Sequence, residues 1–418
     1  MPAGASLALD PVDLTDPESF PDGPPHAFLA RLRAEAPVWW HPDGLRRKGF
    51  WVVTRYDDVR AILLQPSVFI NAQGITIEPG EPAGLGDTEA ERGQGALSYT
   101  DPPQHGPLRK VLAQHFTPSR IRAMGPLVRG HADRLVQRLA DSGGGDFVTE
   151  VVNPYPLVVL AAVLGLPEET EAALHRFVGA LGDAKSGGDA PGVDDPARTA
   201  ATIEFLTAVR ELATARLANP GTDLISAMVN GTGEGATLAA ERIGGILIQL
   251  AIAGQETTRG AGSLGMQVLL EHPQQWAQVA ADASLASAAV EETLRFRPPV
   301  QYTRRTAATG APLASHEQGP QAQPGDTVYL SIASANRDPH VFDNADTFDI
   351  TRPPGSPSHL SLGVGSHFCL GAALARLELR NLYEAVAQIA PQISLAGPAK
   401  PGLSNQFIHS LAGLPVTI

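Results

Sequence analysis

One cysteine stands in a chain of 418 residues: Cys369, inside the stretch SHLSLGVGSHFCLGAALARLELR from Ser358 to Arg380. A single thiol makes no internal disulfide, and its commoner fate in proteins is a small buried apolar side chain. Helical patterning begins right after it, with Leu370, Leu374, Leu377 and Leu382 on roughly one face. The sulfur is therefore expected at a helix N-terminus, where free backbone N–H groups favour thiolate over thiol. Gly363 and Gly365 ahead of it permit backbone conformations closed to other residues, or the close approach of something flat and large, and Gly371 is expected two residues into the helix, removing a side chain beside the sulfur. Three chemistries could use such a site. A nucleophile needs a base, and His367 is near, but alternate residues of an extended segment point opposite ways and no third group orients the imidazole. A zinc site needs more ligands than His359, His367 and Cys369 offer at a recognisable spacing. An iron porphyrin with an axial thiolate needs one cysteine, glycines that admit the ring, and cations for its propionates.

Other segments carry chemistry-bearing residues. AGQETT, from Ala253 to Thr258, sets Gly254 inside a long helical pattern at a cost of about 1 kcal/mol relative to alanine, which calls for a close approach or a local bulge. Glu256 and Thr257 are an acid and a hydroxyl able to relay protons and hold water; a packing glycine followed by a solvated acid fits the same residues. In EETLRFRPP, Glu292 and Arg295 lie at i, i+3 and are stopped by Pro298 and Pro299; most such pairs are surface salt bridges worth about 0–1 kcal/mol. In DPPQHGPLRKVLAQHFTP, Pro107 suits a first helical turn, and His105 and Arg109 fall on one face, ready for a carboxylate or simply an ordinary basic helix start. In PPVQYTRRTA, Arg304 and Arg305 are strand neighbours that point oppositely.

The stretch LGVGSHFCLGAALAR resembles the haem-binding loop of the cytochrome P450 family, F-G-x-G-x-H-x-C-x-G followed by a helical A-R, with Leu362 where the family usually has Phe. AGQETT resembles that family's oxygen-activation motif, EETLR its structural E-x-x-R, ANRDPHVFDNADTFDITR the later segment that nominates Arg352 as third partner, and DPPQH with Arg109 its D-P-P-x-H-x-x-x-R segment. PPVQYTRRTA resembles the strand that follows E-x-x-R, with Arg305 where the family carries another propionate arginine; with E-x-x-R and its later segment counted as one, the five motifs occur in family order, and the likeness runs from about FWVVTRYDDV to near the C-terminus. The resemblance implies haem b (iron protoporphyrin IX) with Cys369 as the iron ligand and His105, Arg109, Arg305 and His367 as propionate partners, while Leu362, Gly371 and Ala253 line the cofactor. It implies a monooxygenase that takes two electrons and O2, with Thr257 and Glu256 routing protons and the thiolate favouring O–O cleavage. A smaller Leu362 beside the sulfur would alter its surroundings without removing the ligand. ETTR and RRTA resemble bacterial members that oxidise terpenoids, steroids or fatty acyl chains more than those acting on macrolides. Hydroxylation and epoxidation are both open, as are oxidative coupling or ring formation in a secondary-metabolite pathway, and from another class a non-catalytic haem-thiolate sensor.

The elements that must position these residues read as mostly helical. Apolar residues recur at helical spacing in HAFLARLRAEA, MGPLVRGHADRLVQRLA, TIEFLTAVRELATARLA and the segment from about Leu238 to Leu270. Strand-like runs are fewer, GFWVVTRY, DTVYLSIAS and the last few residues. The expectation is a mainly α protein with small β-sheets, the α+β cytochrome P450 fold. Residues 1–418 would form a single domain with a smaller β-rich N-terminal region, the haem lying between the long central helix and the helix after the cysteine loop. Two polar Gly/Pro-rich stretches, Ile77 to Gly95 and Gly182 to Ala197, are candidate lids. Pocket-lining residues are expected from the first of these, from Gln249 to Ala253 and from PVQYT. A net charge of −13 argues against a phosphate-tracking nucleic-acid binder. The start has no basic, apolar leader, and IGGILIQLAIAG is well short of the roughly 20 residues a membrane span requires, so a cytoplasmic monomer is expected. No flavin- or ferredoxin-like segment is visible. The family likeness therefore implies a separate ferredoxin and an NAD(P)H-dependent ferredoxin reductase, with Arg376 a contact for the acidic ferredoxin or a solvated helix charge.

Overall fold

The computed structural model describes residues 12–43, 49–77, 96–186, 196–231, 238, 240–315, 319–353, 357–402 and 406–418. Helices dominate, as the periodicity predicts. Those that matter here are α1 (His26–Glu35), α2 (His105–Ala113), α3 (Gly125–Asp141), α4 (Tyr155–Leu164), α5 (Pro196–Ala218), α6 (Ala240–Glu271), α7 (Ala286–Phe296) and α8 (Ala372–Ile389). A five-stranded sheet combines β1 (Val38–His41), β2 (Phe50–Val53), β3 (Phe69–Ile70), β4 (Tyr302–Ala307) and β5 (Thr327–Ser331) in the order β1-β2-β5-β4-β3. Its β2–β5 pair is parallel and the others antiparallel. The sheet thus joins N-terminal strands to strands some 250 residues later, as shown by the register of Val52 with Tyr329. Most of the two lid-like stretches lies outside the described residues.

The largest core gathers the inner faces of α2 through α8 around α6, 32 residues and about 48 Å long. Six glycines in this helix look costly until its neighbours are considered. A Cβ on Gly265 would fall 1.9 Å from the Tyr383 hydroxyl of α8, and one on Gly260 would fall 2.6 Å from the His409 carbonyl. The helix gives up propensity at these points so that α8 and the C-terminal strand region can approach its backbone. Gly254 is different: its Cβ would meet only Leu160 at 3.5 Å, an ordinary contact, and the helix passes it without a bulge.

Beneath the cysteine loop lies a buried charge lock. Glu292 takes two hydrogen bonds from Arg295, both 2.7 Å, and a third from Arg352 Nε at 3.1 Å, and it also accepts the Asp349 N–H at 2.8 Å. Glu292 and Arg295 are almost wholly excluded from water. The i, i+3 pair is therefore not a surface salt bridge, and Arg352 joins it as the resemblance implied. Arg295 further donates to the carbonyls of Asn336, Ala345 and Thr347 at 2.9, 2.7 and 3.0 Å. Asn336 in turn holds the start of the cysteine loop, accepting the Leu360 N–H at 2.7 Å and donating to Ser361 Oγ at 2.8 Å, while Ser361 Oγ donates to the Leu294 carbonyl at 2.6 Å. Removing one partner of a buried pair strands the other charge, so Glu292→Gln is expected to destabilise the fold by about 3–5 kcal/mol. Denaturant unfolding checks this, and a wild-type midpoint would show that the lock is dispensable.

Candidate active site

The loop around Cys369 is closed by the Cys369 N–H, which donates to the Leu362 carbonyl at 2.8 Å. Gly363 (φ +68°) and Gly365 (φ +71°) both lie in the left-handed region, which costs other residues roughly 1–2 kcal/mol each. Gly365 also has Leu64 Cδ2 3.2 Å from where a Cβ would stand. The helix after the loop starts at Ala372, so Gly371 is its N-cap residue and not part of the helix as expected; the turn at Cys369 and Leu370 precedes it. A Cβ on Gly371 would meet nothing within 4 Å, so the space at this glycine is open. Leu362 is half-buried and leans on the main core.

The expected preference for thiolate does not hold for the protein alone. Burial pushes the Cys369 thiol up, against the opposing pull of the Gly371 N–H, Arg109 and Arg376. The low-dielectric surroundings outweigh the helix end, and a metal cation bonded to sulfur is what would hold the anion there.

Four basic groups predicted from scattered segments converge next to this loop. The rings of His105 and His367 lie 4.1 Å apart centroid to centroid. Arg109 donates through Nη2 to the carbonyl of Phe368, the residue before the cysteine. Arg305, buried on β4, donates to Thr303 Oγ1 and the Arg304 carbonyl, both at 2.8 Å. Burial, then Arg305, His105 and Arg109, hold His367 down at about 3, and burial with Arg109 also lowers His105. Arg305 itself is brought to about 10 by burial, with Asp101 opposing. The Nε2 atoms of both histidines are buried with no hydrogen-bond partner. Unsatisfied imidazole nitrogens crowded by cations are costly, and a pair of carboxylates is the kind of group that satisfies both.

Sequence reasoning missed two members of this cluster. Asp101 accepts the Asn71 and Ala72 N–H groups at 2.8 and 2.9 Å and faces Arg305 and His105, while Asn71 Nδ2 lies 3.3 Å from His367 Nδ1. Asp101 was findable, since it opens the DPPQH segment; Asn71, about 300 residues from His367, carried no signal.

On α6 the Thr257 hydroxyl donates to the Ala253 carbonyl at 2.6 Å, and Ala253 is exposed although its helix runs through the core. Glu256 is not brought to the same place: it is buried, with Arg259 3.7 Å away, and Arg259 reaches Ser410 Oγ at 3.5 Å. Arg376, expected as a ferredoxin contact or a solvated helix charge, is partly exposed and ion-paired. It grips Glu291 through two hydrogen bonds, 2.6 and 2.9 Å, and His359 approaches the same carboxylate at 3.3 Å.

With this geometry in place, comparison with known proteins gives a consistent answer. The family model described as Cytochrome P450 matches residues 200–386. The steroid C26-monooxygenase of Rhodococcus jostii is 34% identical over 393 residues, 92% of this chain and 80% of that protein. The linalool 8-monooxygenase of Pseudomonas putida is 33% identical over 413 residues, 97% of this chain and 98% of that one. The chain belongs to the cytochrome P450 family. A Mycobacterium marinum cytochrome P450 solved in complex with pseudoionone superposes with a TM-score of 0.84 at 31% identity, covering 98% of this chain and 100% of that one.

Cytochrome P450s are haem-thiolate oxidoreductases with haem b, and the residues here fit that group: one cysteine in a glycine-framed loop, open space at Gly371, and two orphaned imidazole nitrogens amid arginines. Among the described residues no cluster of three or more His, Cys, Asp or Glu side chains could hold a separate metal ion, and no helix is long and apolar enough to cross a membrane.

The Arg376–Glu291 pair makes a pH prediction. Burial raises Glu291, but hydrogen bonds from Arg376 and His359 outweigh it and bring the carboxyl to about 2 from an ordinary 4.5. A carboxyl lowered on folding adds stability above its unfolded value and loses it as pH falls through the folded one. Wild type should therefore exceed Glu291→Gln in stability at neutral pH, with the gap closing from about pH 4.5 to about pH 2. Both side chains are more than a third exposed, so water keeps the gap to about 1 kcal/mol or less. Thermal melts of both proteins across this range decide it, and a gap that widens in acid contradicts the assignment.

Proposed function

We propose that this cytochrome P450 uses Cys369 as its iron ligand and inserts one oxygen atom from O2 into an apolar small molecule by hydroxylation or epoxidation. The substrate class is terpenoid, steroid, fatty-acyl or a related secondary metabolite, and electrons come from a separate ferredoxin and its NAD(P)H-dependent reductase. One observation carries the reading: a lone sulfur sits in a closed glycine loop whose neighbourhood gathers two arginines and two histidines, each histidine with a buried Nε2 that has no hydrogen-bond partner. The names of the relatives support the substrate class, since one is a steroid and another a linalool monooxygenase.

Haem, when bound, would supply the activation of O2, and a thiolate from Cys369 would favour O–O cleavage. The remaining work falls to side chains of this chain. His105 and His367 would donate from Nε2 to the propionates, and Arg109 and Arg305 would balance their charge. Gly371 leaves open space where the helix after the loop begins, and Ala253 presents only a methyl to the open face of α6. The Thr257 hydroxyl spends its proton on the Ala253 carbonyl and keeps lone pairs on Oγ1, which accept from a water and hold it where protons are delivered. Glu256, next in the chain but buried beside Arg259 away from that water, takes part in proton delivery only by turning from its partner.

Thr257→Ala should retain haem yet divert electrons into peroxide, lowering product formed per NADH by about tenfold or more. Coupling measured with ferredoxin, reductase and NADH tests this. Unchanged coupling removes Thr257 from the mechanism, and a protein whose NADH consumption no substrate stimulates is a haem sensor and not a monooxygenase.

A further inference from the structure

From Ile246 to Gly260, α6 buries Ile246, Leu247, Ile248, Ala251, Gln255, Glu256, Thr258 and Gly260; Leu250, Ile252, Gly254 and Arg259 are half-buried, and so are Gln249 and Thr257, which flank the exposed Ala253. These three recur every fourth residue, so they lie on one helix face, with Gln249 about 6 Å along the axis from Ala253. The face is apolar at its middle, where Ala253 stands and the Thr257 hydroxyl is turned onto the helix backbone. It becomes polar at Gln249, whose amide N–H donates to Ser98 Oγ on the facing 3-10 turn Leu97–Tyr99. That turn is well fixed. Leu97 and Tyr99 are buried, the Ser98 carbonyl accepts Asn71 Nδ2 at 2.8 Å, and Thr100 Oγ1 donates to the Ala96 carbonyl at 2.9 Å.

Resting on the function proposed above, we infer that Gln249 and Ser98 form a polar anchor in the substrate pocket. It selects an otherwise apolar molecule carrying a hydroxyl or carbonyl oxygen, held about one helical turn from the carbon that is oxidised over Ala253. The hydrogen-bond inventory supports this. After the bond between them, Gln249 still has its carbonyl oxygen and a second amide N–H, and Ser98 still has its hydroxyl proton. A ligand hydroxyl can therefore both donate and accept there, and a ligand carbonyl can accept. The chain neighbours are apolar: Leu97, next to Ser98, is buried, and Leu250 and Ile252, next to Gln249 and Ala253, are partly buried against the main core. A hydrocarbon filling this space would strip water from the two polar groups and return nothing, and that asymmetry is what lets a polar anchor discriminate. Gln249 touches no reacting atom in this arrangement; it positions.

The test uses matched ligand pairs that differ only in an oxygen: linalool and the same hydrocarbon without its hydroxyl, dodecanol and dodecane, and a hydroxysteroid and its deoxy form. Dissociation constants come from the ligand-induced spin-state shift of the haem-loaded wild type, Gln249→Leu and Ser98→Ala. At least one alcohol should bind wild type about tenfold tighter than its hydrocarbon partner, and the preference should fall below about threefold in Gln249→Leu. Ser98→Ala, a smaller change, keeps the question answerable if the leucine variant fails to fold, and should also erode the preference. Equal binding within every pair, a preference intact in both variants, or no spin shift with any ligand of the panel overturns the anchor. If the haem-loaded wild type has thiolate ligation but fails these tests, the anchor alone is wrong; if thiolate ligation is missing, the proposed function fails first.

Discussion

The bond from the Cys369 N–H to the Leu362 carbonyl fixes where the sulfur points, and much of the molecule serves to hold that bond in place. Leu362 follows directly on Leu360 and Ser361, which Asn336 clamps, and Asn336 is reached in turn by Arg295 of the buried charge lock. The lock is therefore more than a local salt bridge. A carboxylate with three guanidinium hydrogen bonds is affordable in a dry interior because its lone pairs are satisfied, and its geometry is passed to the loop through three short hydrogen bonds. The left-handed glycines at 363 and 365 complete the arrangement, since other residues there would strain the turn or press on Leu64.

On the other side of the loop the electrostatics are deliberately unbalanced. His105, His367, Arg109 and Arg305 converge, with Asp101 the acid facing His105 and Arg305, and the cost shows as His367 held down at about 3 and His105 lowered too. The thiol is pushed the opposite way, toward its neutral form. On the proposed function, one ligand that brings carboxylates to the bases and a metal cation to the sulfur would relieve both tensions. The site is thus complementary to a charged macrocycle and unfavourable without it.

Much of this was legible in the sequence because it depends on local rules. The helices showed their apolar period, the cysteine its flanking glycines, and His105 and Arg109 their i, i+4 spacing on a proline-started helix. The likeness to a known family then joined segments that spacing alone could not. What stayed hidden depends on long-range contacts. Asn71 reaching His367, Asn336 clamping Ser361 and Arg376 gripping Glu291 link positions far apart in the chain, and no periodicity encodes such pairs. The reading of a stabilised thiolate failed for a different reason: a helix end was weighed without the burial that surrounds it, and desolvation won.

The central claim is that the sulfur of Cys369 is bonded to haem iron. The reduced, carbon-monoxide-bound absorption spectrum of the purified protein tests it most directly. Thiolate ligation predicts the strongly red-shifted Soret band in wild type and its loss in Cys369→Ser. A colourless protein, a Soret band at the position of nitrogen-ligated haem, or a red-shifted band that survives in Cys369→Ser would contradict it.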